Sequence, residues 1–348
     1  MATLTDTAYY ARKGVWYGIT GLVALMVLRF IWGVSLRWWL AAHPLPPPAP
    51  TVVFGVIPAV QFAKGVEQKN ATYQLQTVSG TVPDLGTQAK VYFMPAFRAN
   101  VLGLELAKSL AAKLGFASAP NLQGEQVYSW AREGVLPGTV AVNLVTGYFS
   151  LDTAWFRDSE ISSARAPSEQ EAISQAQNYL RNAGLLADDL AKGKTRVEFL
   201  KTGAGAFSPA ISQSEANFAR VHFFRGDVNS VSVVTPQEGQ ALVQVIVSGA
   251  KTGDKRIVGL TYKYSPVELD RNGTYPLRGT QVAWQQFQSG SGVVVRMVQN
   301  VPVVVRDIKL AYYDSDTPQG FFQPIYVFSG DNGFVGYISA LDEKWIGK

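Results

Sequence analysis

Few residues in this chain have the makings of chemistry. His222, in FARVHFFRGD, is one of only two histidines in 348 residues. On a strand it shares a face with Arg220, and a neighbouring positive charge disfavours both protonation and metal binding. The pattern predicts a structural or surface histidine. A Ser-His-Asp relay outside the N-terminal segment would have to use it, yet no G-x-S-x-G turn accompanies it. There is no cysteine, which excludes disulfides, thiol nucleophiles and thiolate metal sites.

Two carboxylate pairs and one glycine-lysine stretch also carry residue types with chemical potential. AKGKT, residues 191–195, has the ending of a phosphate loop, but Asp188 stands where the first glycine is required. Asp314 and Asp316 form a D-x-D in YYDSDTPQGFF, where a calcium loop would need an acidic or amide group fifth and glycine sixth. Pro318 and Gln319 occupy those places, so the sequence predicts a turn with solvated aspartates. Asp188 and Asp189 read as a loop after a helix. A pair of distant carboxylates meeting in space could cleave glycosidic bonds, but nothing in the sequence singles one out. The expectation is no catalytic residue, no metal and no cofactor.

Aromatic residues are the remaining feature. Tyr312, Tyr313, Phe321, Phe322, Tyr326, Phe328, Phe334 and Tyr337 crowd the last strands. Consecutive residues on a strand point to opposite faces. One of Tyr312 and Tyr313, and one of Phe321 and Phe322, is therefore expected to face outward or into a cleft. Outward aromatics anchor protein interfaces, which makes these four the candidate protein-binding surface.

The elements that must position such a surface begin with an N-terminal segment. From Gly14 to Leu40 the chain reads GVWYGITGLVALMVLRFIWGVSLRWWL, charged only at Arg29 and Arg37. Trp16 and Tyr17 mark one end and Trp38 and Trp39 the other. The 22 residues from Trp16 to Trp38 make ~33 Å of helix, close to the ~30 Å of a bilayer's hydrocarbon. Belts of aromatics at that separation are expected of a spanning helix. The alternatives are a buried core helix and a cleaved signal peptide ending at LAA, Leu40–Ala42; the apolar run is longer than a usual signal core and holds an arginine. A retained signal anchor is the reading. Gly14, Gly18 and Gly21 offer one side to close helix packing, and Arg29 falls ~20° from Gly18 around the axis. A second membrane protein with an intramembrane acidic group would fit that side. Arg12 and Lys13 favour a cytoplasmic N-terminus.

Arg12, Lys13, Arg29 and Arg37 against Asp6 give residues 1–50 +3 of the net charge of +5. The remaining +2 is spread over a nearly balanced body, a poor match to nucleic acid, which needs a concentrated basic face. Pro44, Pro46, Pro47, Pro48 and Pro50 cannot continue a helix and favour a stiff polyproline spacer. The expected order is a cytoplasmic N-terminus (1–13), the transmembrane anchor (14–40) and a proline-rich stalk and linker (41–71). An extracytoplasmic body follows. VVFGVIPAVQF, residues 52–62, is read as a segment packed on that body.

The body falls into three rounds, each a helix followed by antiparallel strands, over 72–160, 161–270 and 271–348. The first helix, NVLGLELAKSLAAKLGF, carries Leu102, Leu106, Leu110 and Leu114 at helical spacing, with a stop at Gly115. In the second, Ser168 and Glu171 form a capping box, Ala172, Ile173, Ala176, Tyr179, Leu180 and Ala183 the buried stripe, and Gly184 the end. Thr146-Gly147 and Asp331-Asn332-Gly333 are hairpin turns. The fold class is α+β, with helices on one face of the sheets.

The first round, ending in VAVNLVTGYFSL, resembles a PepSY unit. The third, YPLRGTQVAWQQFQSG through VVVRDIKLAYYD and QPIYVFSGDNGFVGYISAL, is similar to the C-terminal part of YycH/YycI-type regulators. The likeness covers about half of the body. It implies a single-pass envelope protein without enzymatic activity that acts by binding and modulating other proteins. A structural subunit of a larger envelope complex is the second reading, and an envelope hydrolase the third.

Overall fold

The computed structural model describes residues 4–43, 48–66, 71–95, 101–203, 206–297 and 302–347. Pro44, Pro46 and Pro47 of the expected rod lie outside them. The chain divides into two units, Met1–Ala49 and Pro50–Lys348.

The first unit is a single 39-residue helix, Leu4–Ala42. Its stretch Ala8–Leu40 is long and apolar enough to cross a membrane, and starts earlier than the Gly14 expected. An apolar residue beside water is unfavourable, yet Leu25, Leu28, Phe30 and Trp32 are all about 70% exposed. The hydroxyls of Thr20 and Ser35 inside the span are satisfied within the helix. Thr20 Oγ1 donates to the Trp16 carbonyl at 2.9 Å, and Ser35 Oγ to that of Ile31 at 2.6 Å. Hydroxyls returned to the backbone in this way are compatible with hydrocarbon, whereas Arg29, also within the span, is a charged side chain.

The second unit is α+β. Among the described residues its largest sheet has nine strands, and the order shows how it is built. Asn121–Gln123, Val127–Arg132, Gly138–Asn143 and Phe149–Thr153 form one antiparallel meander. Ile257–Tyr262, Val243–Ser248, Phe218–Phe223, Thr195–Gly203 and Ala206–Pro209 form the other half, also antiparallel, with Thr195–Gly203 lying between Phe218–Phe223 and its own hairpin partner Ala206–Pro209. The two join where Phe149–Thr153 pairs with Ile257–Tyr262, Leu151 opposite Leu260. The first and second rounds therefore share one sheet, each contributing its last strand to the junction.

Both round-opening helices pack into the same core. In Glu169–Asn182 the capping box is formed: Ser168 N–H donates to Glu171 Oε2 at 2.9 Å and Glu171 N–H to Ser168 Oγ at 3.4 Å. Ala172, Ala176 and Leu180 are buried beneath it, and Gly184 ends it at a φ of +71°, where a side chain would be strained. Val101–Lys113 departs from expectation. Leu102 and Leu106 are 68% and 61% exposed, whereas Ala107, Ala111 and Leu114 are buried. The helix turns its small residues to the sheet because they permit close approach, and two of its four leucines stay outside.

The second sheet has the order Ser232–Val234, Val303–Tyr313, Pro324–Gly330, Val335–Ser339, Val293–Arg296, with Tyr73–Leu75 also paired to Val303–Tyr313. Helix Thr280–Gln288 covers it through Ala283, Trp284 and Phe287. Glu268–Pro276, Gln88–Phe93 and Phe321–Phe322 make a small third sheet. The 52–62 segment does pack on the body: Ile57 and Val60 are buried, and Ile57–Pro58 pairs in parallel with Ile346–Gly347. The folded unit thus begins at Pro50, inside the span expected to be stalk and linker.

Candidate functional site

Segments leaving strands of both large sheets meet the short helix Asp188–Ala191 at one buried cation, Arg225. Its side chain is 1% exposed and follows the strand Phe218–Phe223. Nη1 donates to Asp189 Oδ2, Nε to Asp314 Oδ2 at 3.2 Å and Nη2 to the Ser265 carbonyl at 2.8 Å. The guanidinium lies 4.7 Å from the ring centre of Tyr264 and 5.5 Å from that of Phe322. Tyr264 in turn donates its hydroxyl to Asp189 Oδ1 at 3.0 Å.

Electrostatics follows from burial. Burial alone would pull the Arg225 guanidinium down, but the carboxylates of Asp314 and Asp189 more than offset that and hold it above its ordinary value. Burial pushes the Asp314 carboxyl up, against the pull of Arg225. Burial likewise pushes the Tyr264 phenol up to about 12. The guanidinium bonds to both carboxylates. Chemically this is a tie between the sheets, and it corrects the sequence reading: Asp314 is 6% exposed rather than a solvated turn residue. Asp316, two residues on, stays at the rim, 4.0 Å from Lys263 Nζ.

Clefts lie along the same seam. A cavity of about 220 Å³ is lined by Tyr264, Ser265, Thr146, Gly147, Pro318 and Gln319. A smaller one of about 140 Å³ is lined by Gln240, Gln244, Thr261, Lys263 and Asp316. The largest on the seam, about 700 Å³, runs between Lys192–Arg196 and Ser232–Val233, with Arg225 contributing to its wall. A groove of about 770 Å³ lies apart, between Val60–Phe62 and Gly292–Val293.

The aromatic quartet is not an open surface. Tyr312, Tyr313 and Phe322 are buried and Phe321 is half-buried. Tyr312 and Tyr313 point to opposite faces as expected of a strand, but both faces are covered. On one side Tyr312 stacks on Phe322 with ring centres 5.0 Å apart and donates to the Lys90 carbonyl at 2.9 Å. On the other, Tyr313 meets Phe62 at 5.0 Å and accepts from the Ala63 N–H at 3.2 Å. Phe321 packs against Phe54 and Phe93. These rings bind the layers of the body to one another.

His222 is a core residue. It is 0% exposed, its Nδ1 accepts from the Ala241 N–H at 3.2 Å, and Nε2 stands 3.4 Å from Glu198 Oε2. Glu198 also holds Arg220 at 3.0 Å, so the neighbour expected to repel a proton is itself paired. Burial pulls the imidazole below its ordinary value. Among the described residues no three His, Asp or Glu side chains are grouped to hold a metal. On the helix, Gly14, Gly18 and Gly21 have nothing within contact distance, and Trp16, Tyr17, Trp38 and Trp39 are 58% to 77% exposed. Arg29 is exposed.

Sequence reasoning missed Arg225. Its only local signal is an arginine directly after the apolar run VHFF, where an unpaired charge would be costly.

No protein-family model matches this chain, and no curated protein does. Two solved structures share a slight likeness. An uncharacterized protein from Eubacterium rectale aligns over 80% of this chain and 90% of its own, at 12% identity and a TM-score of 0.38. The YpeB C-terminal domain of Bacillus megaterium aligns over 71% of this chain and 94% of its own, at 14% identity and a TM-score of 0.32. Likenesses of that size carry no argument about function.

Proposed function

We propose that this chain is a membrane-anchored module whose folded unit stands outside the cytoplasm and acts, without catalysis, by binding and modulating other envelope proteins. The observation that carries the reading is the helix Ala8–Leu40, long and apolar enough to cross a membrane, with its large apolar side chains bare. Lipid is the solvent that makes such a surface favourable. Arg12 and Lys13 favour the orientation, and the resemblance to PepSY and YycH/YycI-type proteins points to partners rather than substrates. The clefts along the Arg225 seam are where a partner segment would find depth.

Intact spheroplasts treated with protease test the topology, and photo-crosslinking from the folded unit in membranes, with the captured proteins identified, tests the binding. A body protected from outside protease, or crosslinking that yields lipid alone, overturns the reading. Leu102 and Leu106, exposed on one side of a helix, favour a second reading as a structural subunit of a larger complex. A stoichiometric assembly that survives detergent would select it.

A further inference from the structure

The largest cleft on the seam has two walls of different chemistry. One carries Lys192, Lys194 and Arg196, all exposed. Phe224 N–H donates to the Lys194 carbonyl at 3.0 Å, so the pairing of strand Thr195–Gly203 extends back to that residue. Lys194 and Arg196, two apart, therefore share a face. None of the three cations has an ion-pair partner among the described residues. Two carboxylates also line the groove. Glu238 is already engaged by Arg296 at 3.2 Å, which leaves Asp227 as the remaining carboxylate among the described lining residues, against three cations.

The opposite wall is backbone. Among the described residues Ser232–Val234 ends its sheet and pairs, in parallel, with Val303–Tyr313 alone. The Asp314 N–H donates to the Val234 carbonyl at 2.9 Å, so Val234, and two residues earlier Ser232, direct their peptide groups into the sheet. A strand alternates these directions. Val233 therefore turns its N–H and C=O to the outer edge, and Val233 lines the groove.

We infer that this groove receives an extended acidic segment of a partner protein. The segment adds to the sheet at Val233 by main-chain hydrogen bonds, and its carboxylates face Lys192, Lys194 and Arg196. Strand addition supplies the backbone recognition and the cation row the preference for acidic side chains. This rests on the reading of the chain as a protein-binding module and names the kind of segment it takes.

The test uses the full chain in detergent micelles and a fluorescein-labelled peptide of about eight residues alternating Glu and Val, long enough to span a typical strand. Fluorescence anisotropy is expected to show saturable binding. The triple variant Lys192→Glu, Lys194→Glu, Arg196→Glu should weaken it at least about tenfold, as loss of a complementary charge row does, and added salt should weaken it as well. Lys108→Glu with Lys113→Glu, charge reversals on the helix Val101–Lys113, should leave it unchanged. The same peptide N-methylated at alternate residues should fail to bind. Three results overturn the inference: no saturable binding, equal loss in both charge variants, or undiminished binding of the methylated peptide. Polyphosphate binding at the triple-lysine-arginine site in place of the peptide also overturns it, because charge alone would then account for the groove. Membrane crosslinking separates the two claims. Undiminished partner capture by the triple variant refutes the groove while sparing the module reading, and a wild-type chain that captures no protein refutes the module reading.

Discussion

Arg225 and Lys255 each hold two carboxylates, with opposite consequences. Arg225 is sealed between two sheets, and the carboxyl of Asp314 there is pushed up by burial. Lys255 sits on a loop, 2.7 Å from Asp158 and 3.0 Å from Glu160, and its hydrogen bonds hold both carboxyls below their usual range. The chemistry of the groups is alike. What differs is water, which in one case has been replaced by Tyr264 and Phe322 and in the other still shares the charge. A buried cluster costs desolvation and returns it only while complete, whereas a surface cluster contributes little and loses little.

The sharpest way to break the comparison is Arg225→Ala. It leaves Asp314 buried without its cation and should destabilise the fold by about 3–5 kcal/mol in denaturant titration. A loss no greater than a surface change would mean the seam is wet. Pairing Arg225→Met with Asp314→Leu should cost less than Arg225→Ala alone, because apolar replacement of a complete buried pair is often neutral. A double variant as unstable as the single one would show that the charges, rather than their mutual neutralisation, hold the sheets together.

His222 is an intermediate case, buried but at the edge of the Glu198–Arg220 pair. Its folded pKa lies below the ordinary 6.5. The linked stability is therefore complete above that value and is lost as pH falls through and below it. Thermal melts of wild type and His222→Gln should converge on acidification from about pH 7 to 5. Parallel curves would remove the histidine from the account.

The smallest effect is at Lys255. Asp158 and Glu160, with depressed folded pKa values, contribute stability above the carboxylate range that fades as pH falls through it. Asp314, with a raised one, has the opposite slope: its contribution is present in acid and fades as pH rises. Lys255→Gln should flatten the first slope only, leaving the second. Titration of stability against pH in both variants separates them.

Local rules were legible in the sequence where a few adjacent residues settle the outcome. The Ser168–Glu171 box, Gly184 and the turn at Asn332, with φ of +56°, each depend on backbone donors within a few positions. What could not be read is what covers a face. Leu102, Leu106, Leu110 and Leu114 and the alternative Ala107, Ala111 and Leu114 both satisfy helical spacing, and only the close approach of the sheet selects the second. Alternation at Tyr312 and Tyr313 says that the rings diverge, but not that Phe322 waits on one side and Phe62 on the other. Arg225 depends on Asp189 and Asp314, 36 and 89 residues away, a separation no local pattern bridges.

The junction of Phe149–Thr153 with Ile257–Tyr262 has a further consequence. Each half of the sheet finishes on a strand whose outer hydrogen bonds are made by the other half. Cutting the chain between them would strip both of that protection and leave two complementary edges bare. Fragments made near residue 160 are therefore expected to re-zip with each other along that junction.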